Sequence, residues 1–298
     1  MIKKICIVGY GSIGQKHHKI FKEHFKDIEI NVISNHLKKK KFIFNNIEDI
    51  KIINPDYIII STITKNHYSD LKYIDSNLSK KIILVEKPLF MNNQKYKSKK
   101  NLIFVGYNLR FHPVIKLIKD LIKNKKIIET NIYAGSFLPS WRNNNYINSY
   151  SADKKLGGGV KLDLSHELDY CLFLLGEYKI NFYINKKISN LKIKSEDYLS
   201  LFGKSIKQCF INMTLNYFTK IPYRRIIMNG NNISLEADLI NNKIKYILNN
   251  KLYNKKFPKN SLMKSYLYMH ESILNKNYKN ISKLDEGIKI MKLIEQIK

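Results

Sequence analysis

Three glycines stand within six positions near the start of the chain, Gly9, Gly11 and Gly14 in the stretch GYGSIG, directly after the apolar residues 5–8. In such a loop the first glycine permits a sharp turn, the second lets the backbone approach a phosphate, and the third allows close packing of a helix on a strand. The alternative is a purely structural glycine turn. A strand-like run before the loop and a helix-compatible segment after it favour a dinucleotide phosphate site at the helix start, which includes Ser12 and Ile13.

The residues after the second predicted strand bear on which dinucleotide would bind. A site for NAD commonly has an Asp or Glu there, about 20 residues after the glycines, to accept the ribose hydroxyls. This chain has Ser34 and Asn35, followed by the lysine run 38–41 that begins with Lys38. Neutral donors beside cations suit a 2′-phosphate better than a hydroxyl, so NADP is favoured over NAD. The alternative is that the lysines only form a solvated face.

Asp163 and His166 lie three positions apart in DLSHELDYCLFLL and could take part in proton transfer. Proton transfer near neutral pH needs a side chain whose pKa lies close to the working pH. The apolar spacing of this segment predicts one helix, with the two residues and Asp169 or Tyr170 on a face beside the apolar stripe. The alternatives are that Asp163 caps the helix and that His166 is an ordinary exposed histidine. A metal site is not expected, because no further ligand cluster accompanies them.

The elements that must position these residues change in character along the chain. Strand-like runs and helix-compatible segments alternate in the first third, which predicts a doubly wound parallel sheet with ligands at the carboxyl ends of its strands. The predicted strands are residues 2–8, 28–33, 57–61, 82–85 and 102–105. Alternating stretches from residue 127 onward predict antiparallel strands, and residues 282–298 predict a closing helix. We therefore expect a Rossmann-type α/β domain at 1–113 and an α+β domain with a mostly antiparallel open sheet at 114–298.

The composition excludes several other classes of protein. The formal net charge is +29 over 298 residues, but it comes almost entirely from dispersed lysines, so a specific nucleic-acid partner is not expected. No run approaches the roughly 20 apolar residues of a membrane span, and the N-terminal segment does not resemble a signal peptide, so we expect a cytoplasmic protein without a membrane partner. The three cysteines are far apart and form no metal or disulfide pattern.

Five motifs of this chain occur in the same order in a known family. They are GYGSIG, STITKNH at 61–67, EKP at 86–88, GYNLRFHP at 106–113 and GGGVKLDLSHELDY at 157–170. In this combination the chain resembles the Gfo/Idh/MocA oxidoreductases. The resemblance implies reversible hydride transfer between NAD(P) and a sugar, nucleotide sugar or related polyol, and a homo-oligomer formed through the C-terminal sheet.

The resemblance also implies roles for individual residues. Lys87 of the EKP motif would lie between nicotinamide and substrate, with Glu86 pairing with its ammonium, although EKP could also be a surface salt bridge. His166 matches the family's acid/base histidine. Asp163 matches an aspartate that binds substrate hydroxyls or tunes the proton relay. Inositol-dehydrogenase-like members carry this Asp and His four positions apart rather than three, so the histidine is expected to enter the site at another angle.

The remaining expected contacts come from these motifs, from the turn after the second predicted strand and from the polar segment 140–155. The cofactor set comprises Gly9, Gly11, Ser12, Ile13, Gly14, Ser34, Asn35, Lys38, Thr62, Asn66, His67, Glu86 and Lys87. The substrate set comprises Asn108, Arg110, Trp141, Arg142, Tyr150, Asp163 and Tyr170.

The polar segment from 140 to 155 could be a disordered loop rather than a source of substrate contacts. In combination with LDLSHELDY, its SWR and YS motifs look like those of members from bacterial surface-sugar biosynthesis, including that of nonulosonic acids. The alternative function is a non-catalytic dinucleotide-binding sensor or regulator.

Overall fold

A computed structural model describes residues 2–38, 40–98, 100–141 and 145–298. Its strands are β1 Lys4–Val8, β2 Glu29–Ile33, β3 Ile43–Phe44, β4 Tyr57–Ile60, β5 Ile82–Val85, β6 Leu102–Val105, β7 Ile127–Phe137, β8 Tyr178–Lys186, β9 Tyr198–Ser205, β10 Phe210–Asn216, β11 Phe218–Gly230, β12 Ile233–Asp238, β13 Lys243–Leu248, β14 Lys251–Lys256 and β15 Ser282–Lys283. Its α-helices are α1 Ser12–His24, α2 Ile50–Ile53, α3 His67–Asn77, α4 Pro113–Leu121, α5 Val160–Asp163, α6 Ser165–Leu175, α7 Ser261–Leu274 and α8 Leu284–Gln296. Short 3-10 turns connect several of them.

The first compact unit contains residues 1–107 and 266–291. Its seven-stranded sheet has the order β15-β6-β5-β4-β1-β2-β3, in which all pairs are parallel except β15 with β6. β4 is buried along its whole length, as expected for a parallel strand covered on both faces. The parallel doubly wound fold predicted from the alternating pattern is confirmed, and the five predicted strands coincide with β1, β2, β4, β5 and β6.

The second compact unit contains residues 108–265 and 292–298. Its eight-stranded sheet has the order β14-β13-β12-β11-β7-β10-β9-β8, and every pair is antiparallel except β7 with β10. Burial alternates along β9, which shows that one face of that strand is packed and the other is more exposed. The mostly antiparallel C-terminal sheet predicted from the sequence is confirmed.

The division of the chain differs from the single boundary expected between residues 113 and 114. The chain returns to the first unit after residue 265, where β15 pairs antiparallel with β6 through Ser282 and Val105. Gly287 of α8 also packs within the first unit, since a Cβ there would lie 2.6 Å from Val105 Cγ2. The strand β15 has only two residues, so it leaves almost no periodic pattern in the sequence. The sequence therefore predicted the helix α8 but did not indicate that its first residues belong to the first unit.

Within the described ranges, no helix is both long enough and apolar enough to cross a bilayer.

Candidate functional site

The glycine loop lies where β1 ends and α1 begins. Gly9 has φ +91°, and its N–H donates to Ile33 O of the neighbouring strand at 2.9 Å. A Cβ on Gly9 would lie 2.6 Å from Thr62 N, and one on Gly14 would lie 2.2 Å from Gly9 O and 2.9 Å from Ser61 Oγ. The loop is therefore closed against the β4–α3 connection at two of its three glycines.

Gly11 differs from the other two glycines because a Cβ there would meet no atom within 4 Å. Gly11 and Ser12 are exposed, and the first turn of α1 carries no acidic side chain. The first N–H groups of a helix have no intrahelical acceptor and lie at its positive dipole end. The start of α1 is thus an open surface that fits an anionic phosphate, and the empty space beside Gly11 leaves room for it.

The other residues of the expected cofactor set lie on loops at the same edge of the sheet, which is the carboxyl end of the parallel strands. Asn35, Lys38 and Asn66 are exposed and Thr62 and Lys87 are half-buried, whereas Ser34 is buried. Asn45 Nδ2 donates at 2.8 Å to Ser34 O and at 2.8 Å to Leu37 O, which holds the turn after β2. Lys39 of the lysine run lies outside the described residues.

His67 was expected to contact the cofactor, but its ring is 1% exposed. Its Nδ1 is 2.9 Å from Pro88 O and its Nε2 is 3.0 Å from Thr62 O, so both ring nitrogens face backbone carbonyls. Burial lowers the pKa of His67, while the two carbonyls and the nearby Glu86 and Asp70 oppose that shift. This geometry assigns His67 to holding the loop after β4 against the segment that follows Lys87.

Glu86 and Lys87 follow β5, and the Lys87–Pro88 peptide is cis. The Glu86 side chain is nearly buried at 4% exposure. Its Oε2 accepts a hydrogen bond from the Lys87 backbone N–H at 3.2 Å, and its Oε1 is 3.0 Å from His17 Nε2. The EKP segment is therefore built into the unit, and the interpretation of Glu86 as a partner in a surface salt bridge is wrong.

In the second unit, Asp163 and His166 do not share one helix as predicted. Asp163 is the last residue of α5 and His166 lies in α6, with Leu164 between them at φ −96° and ψ 29°. The Glu167 N–H donates to Leu164 O at 3.2 Å, three residues back, so the backbone leaves the α-helical pattern at this point. Helical spacing therefore does not determine how the two side chains are oriented to each other.

Both residues are buried, which contradicts the two structural alternatives. His166 is 8% exposed, so it is not an ordinary exposed histidine. Asp163 is 3% exposed and accepts a hydrogen bond from Tyr217 OH at 2.6 Å, while the N-cap of α6 is Leu164 and has no side-chain cap bond. Burial and the Asp163 carboxylate raise the pKa of Tyr217 well above its ordinary value, so Tyr217 remains a donor to Asp163.

Tyr217 contacts two of the candidate site residues, and the sequence analysis missed it. It lies between β10 and β11, and its ring packs edge-on against Trp141 with the ring centroids 5.5 Å apart. The sequence separation of 54 residues between Tyr217 and Asp163 left no local pattern that could have revealed the pair.

The glycines of the GGG stretch allow close packing next to Asp163. A Cβ on Gly158 would lie 2.1 Å from Tyr150 O, and Gly159 has φ +112° at the start of α5. Ser151 O accepts a hydrogen bond from the Gly159 N–H at 3.2 Å. Tyr150, which is half-buried, is thereby held beside the helix that ends at Asp163.

Three residues of the expected substrate set are buried inside the second unit. Arg110 is 1% exposed, and its Nε and Nη2 donate to the Asp169 carboxylate at 2.9 Å and 2.7 Å. Asn108 is buried and donates to Ser265 Oγ at 2.6 Å. Tyr170 is fully buried, and burial raises its pKa well above the ordinary value. These observations favour structural roles for all three. The expected substrate residue Arg142 lies outside the described residues.

We expect the Arg110–Asp169 pair to stabilise the second unit. Asp169→Ala should lower the free energy of unfolding by about 3–5 kcal/mol, because it leaves a buried guanidinium without its carboxylate. Glu236→Ala is the matched control, since Glu236 pairs with Arg225 at 3.4 Å with both side chains at least 42% exposed, and it should change stability by about 0–1 kcal/mol. Urea unfolding measures both variants. Equal effects would contradict a structural role for Asp169.

In the described part of the chain, no group of three or more His, Cys, Asp or Glu side chains could hold a metal ion.

Comparison with known proteins agrees with the architecture of the first unit. Residues 3–103 match the model of an oxidoreductase family with an NAD-binding Rossmann fold, GFO_IDH_MocA. This match lies within the first unit and agrees with the resemblance to the Gfo/Idh/MocA oxidoreductases that the motifs indicated. A search of curated protein sequences finds no match.

Solved structures match the chain over nearly its whole length. UDP-N-acetylglucosamine 3-dehydrogenase GnnA from Acidithiobacillus ferrooxidans is 14% identical with a TM-score of 0.79, covering 100% of this chain and 97% of that one. WlbA dehydrogenase from Bordetella pertussis, in complex with NADH and UDP-GlcNAcA, is 14% identical with a TM-score of 0.76, covering 99% and 94%. Levoglucosan dehydrogenase in complex with NADH is 12% identical with a TM-score of 0.83, covering 99% and 95%. At these identities the likeness establishes the fold of the chain.

Proposed function

We propose that this protein is an NAD(P)-dependent oxidoreductase that transfers a hydride to or from a carbon of a sugar, nucleotide sugar or related polyol. The observation that carries the proposal is the open helix start behind Gly11 in a unit that matches the NAD-binding domain of an oxidoreductase family. Exposed Ser12 and the absence of acidic side chains in the first turn of α1 fit a pyrophosphate there. When bound, the nicotinamide accepts or supplies the hydride.

His166 and Lys87 are the residues that we propose act on the substrate. His166 removes the hydroxyl proton as the C–H hydride leaves and returns it when a carbonyl is reduced. Lys87, half-buried after β5, donates a hydrogen bond to the reacting oxygen and stabilises the negative charge that develops on it.

Asp163 has two possible roles, and its geometry restricts both. One oxygen of its carboxylate accepts from Tyr217, which fixes the orientation of the group. The carboxylate either binds a substrate hydroxyl or orients the proton-transferring histidine. Tyr217 supports both roles, because a buried donor keeps the carboxylate in one position.

A nucleotide sugar is the substrate class that we favour. The matched structures named above include a dehydrogenase of UDP-N-acetylglucosamine and one in complex with UDP-GlcNAcA, and the SWR and YS motifs suggest bacterial surface-sugar biosynthesis, including nonulosonic acids. The test is to incubate the protein with a panel of sugars and nucleotide sugars and to follow the absorbance of the reduced nicotinamide. Cofactor binding without turnover of any member of the panel would favour the sensor or regulator instead.

We further propose that NADP binds more tightly than NAD. Asn35 and Lys38 are exposed after β2, where they offer an amide and an ammonium group to a 2′-phosphate. The preference should weaken as salt is raised, because the lysine acts through a screened charge. Titration of both cofactors at low and high salt measures it, with Lys38→Gln as the test variant and Lys251→Gln, on exposed β14, as the control. Equal affinities for both cofactors, or an NAD preference that salt does not change, would contradict the proposal.

We also propose that a second copy of the chain covers part of the C-terminal sheet. Phe182, Ile184 and Ile221 on its strands are exposed by 73%, 55% and 67%. Exposed apolar side chains of this size on one sheet are typical of a contact between subunits. Sedimentation equilibrium should give a dimer or larger assembly, and Phe182→Ser with Ile221→Ser should shift it toward the monomer. A monomeric protein at all concentrations would contradict this.

A further inference from the structure

Four buried polar side chains of the first unit form a row that ends at Glu86, the residue before Lys87. Tyr57 OH is 3.0 Å from His270 Nδ1, His270 Nε2 is 2.8 Å from His17 Nδ1, and His17 Nε2 is 3.0 Å from Glu86 Oε1. Tyr57, His270 and His17 are all 0% exposed. They come from three elements, β4, α7 and α1, so the fold assembles this row from distant parts of the sequence.

The chemistry of the four groups favours one direction of donation. The Glu86 carboxylate only accepts, so His17 Nε2 donates to it. A neutral imidazole has one donor and one acceptor, so His17 Nδ1 accepts from His270 Nε2. His270 Nδ1 then accepts from the Tyr57 hydroxyl. This arrangement satisfies every group in the row with both histidines neutral.

The reverse direction is less favourable. If His17 carried a second proton, its Nδ1 would donate to His270, and His270 Nδ1 would donate to the Tyr57 oxygen. Within the described ranges, His270 Nδ1 is the hydrogen-bond partner of that hydroxyl, so its O–H would be left without an acceptor. An unpaired buried hydroxyl costs about 1–3 kcal/mol.

The surroundings of the row agree with a neutral His270. Burial lowers the pKa of His270 well below its ordinary value, and His17 lowers it further. Phe21 and Tyr266 pack against the rings with centroids 4.7 Å from His270 and 5.6 Å from His17, respectively. The charged groups near the Glu86 end are Lys16 and Lys87, and burial lowers the pKa of Lys16.

The carboxylate of Glu86 connects this row to the Lys87 backbone. Its second oxygen accepts from the Lys87 N–H at 3.2 Å. Gly106 makes room for it, since a Cβ there would lie 2.5 Å from Glu86 Oε1. The orientation of Glu86 is therefore set from one side by His17 and from the other by the peptide that begins Lys87.

We propose that Tyr57, His270 and His17 are positioning residues that form a one-directional hydrogen-bond chain, fixing the Glu86 carboxylate and through it the backbone of Lys87. The inference rests on the proposed function because it assumes that Lys87 contacts the substrate. The three residues do not touch the substrate themselves. Their effect is on the placement of Lys87, so their loss should lower kcat more than it changes KM or cofactor affinity.

The first test uses the unaltered protein and does not depend on finding a substrate. Nitrogen-15 NMR of the histidine rings near neutral pH should show His17 and His270 as neutral rings with the proton on Nε2. Resonances are assigned by their loss in the single variants His17→Gln and His270→Gln. An imidazolium at either position, or a ring with its proton on Nδ1, would overturn the proposed direction.

The second test uses three variants of the chain. His270→Phe keeps an aromatic ring but removes both nitrogens, whereas the amide of His270→Gln retains one donor and one acceptor. Phe21→Leu alters the packing against His270 without removing a hydrogen bond, so it is the matched control. Hydrogen exchange of the Lys87 amide should speed up about tenfold or more in His270→Phe, recover in His270→Gln and stay unchanged in Phe21→Leu.

Turnover gives the third readout once a substrate is known. His270→Phe should lower kcat about tenfold with KM and cofactor affinity nearly unchanged, and His270→Gln should restore most of it. Normal exchange and normal kcat in His270→Phe would overturn the positioning role while leaving the proposed function intact. Failure of every substrate would overturn the proposed function, but the ring protonation and the Lys87 exchange would still decide this inference.

Discussion

Lys87→Ala and His166→Ala are each expected to lower turnover by about 10²–10⁴-fold, because each removes a group that we propose acts on the reacting oxygen or its proton. Cofactor affinity should remain nearly unchanged, since we propose that other residues bind the phosphates at the start of α1. Single-turnover hydride transfer and cofactor titration measure the two effects separately. Lys51→Ala and His24→Ala, both at exposed positions, are the matched controls and should retain full activity.

The combination of variants tests whether the two side chains serve one transition state. If they do, the loss in the double variant should be far smaller than the product of the single losses.

Asp163→Asn should lower turnover less than Lys87→Ala or His166→Ala if Asp163 only binds a substrate hydroxyl. It should lower turnover by a comparable factor if Asp163 orients the proton transfer. Full activity in His166→Ala would remove His166 from the mechanism. Full activity in both single variants would favour the sensor function.

The second large effect is expected at the glycine loop, where Gly11 and Gly14 should respond differently to the same substitution. Gly11→Ala should leave thermal stability nearly unchanged, because its Cβ meets no atom within 4 Å and its φ of −71° suits alanine. It should nevertheless weaken cofactor binding about tenfold to a hundredfold, since the added methyl group occupies the approach to the phosphates.

Gly14→Ala should instead destabilise the protein without ligand by about 1–3 kcal/mol or more, because its Cβ would lie 2.2 Å from Gly9 O. Thermal unfolding without ligand and calorimetric titration with NADPH and NADH distinguish the two variants. A Gly11→Ala protein that binds both cofactors as tightly as the unaltered chain would show that the dinucleotide does not contact this loop.

The parallel sheet was predictable from the sequence because its central strands are buried on both faces. A strand of that kind is a short, continuous apolar run such as residues 57–60, bounded by polar segments. The glycine loop was predictable for a similar reason, since all three of its glycines lie within one turn and the start of one helix. Both features are local, and local patterns are what a sequence displays directly.

The partners of buried polar side chains could not be predicted in this way. Arg110 was expected to bind substrate, but its carboxylate partner Asp169 is 59 residues away. His17 stands close to the glycine loop, yet its contact with His270 spans 253 residues. Nothing in the spacing of such residues indicates whether a polar group faces solvent, a ligand or a distant side chain.

The break between α5 and α6 illustrates a second limit. The apolar spacing of residues 164–175 predicted the helix correctly, but the change of backbone direction at Leu164 has no marker such as Gly or Pro. A single residue outside the helical region decides how Asp163 and His166 are oriented. The helix was thus predictable, and the geometry of the two candidate catalytic residues was not.

Deuterium transfer shows whether this protein moves a hydride between a nicotinamide and a sugar carbon. NADPH and NADH carrying deuterium at C4 of the nicotinamide, on either face, are incubated with oxidised sugars and nucleotide sugars. The products are then examined by mass spectrometry. One deuterium is expected on the new carbinol carbon, from one face of the cofactor only, and it should appear about 10²–10⁴-fold more slowly with the Lys87→Ala or His166→Ala protein. Tight cofactor binding with no deuterium in any product would contradict the enzymatic function.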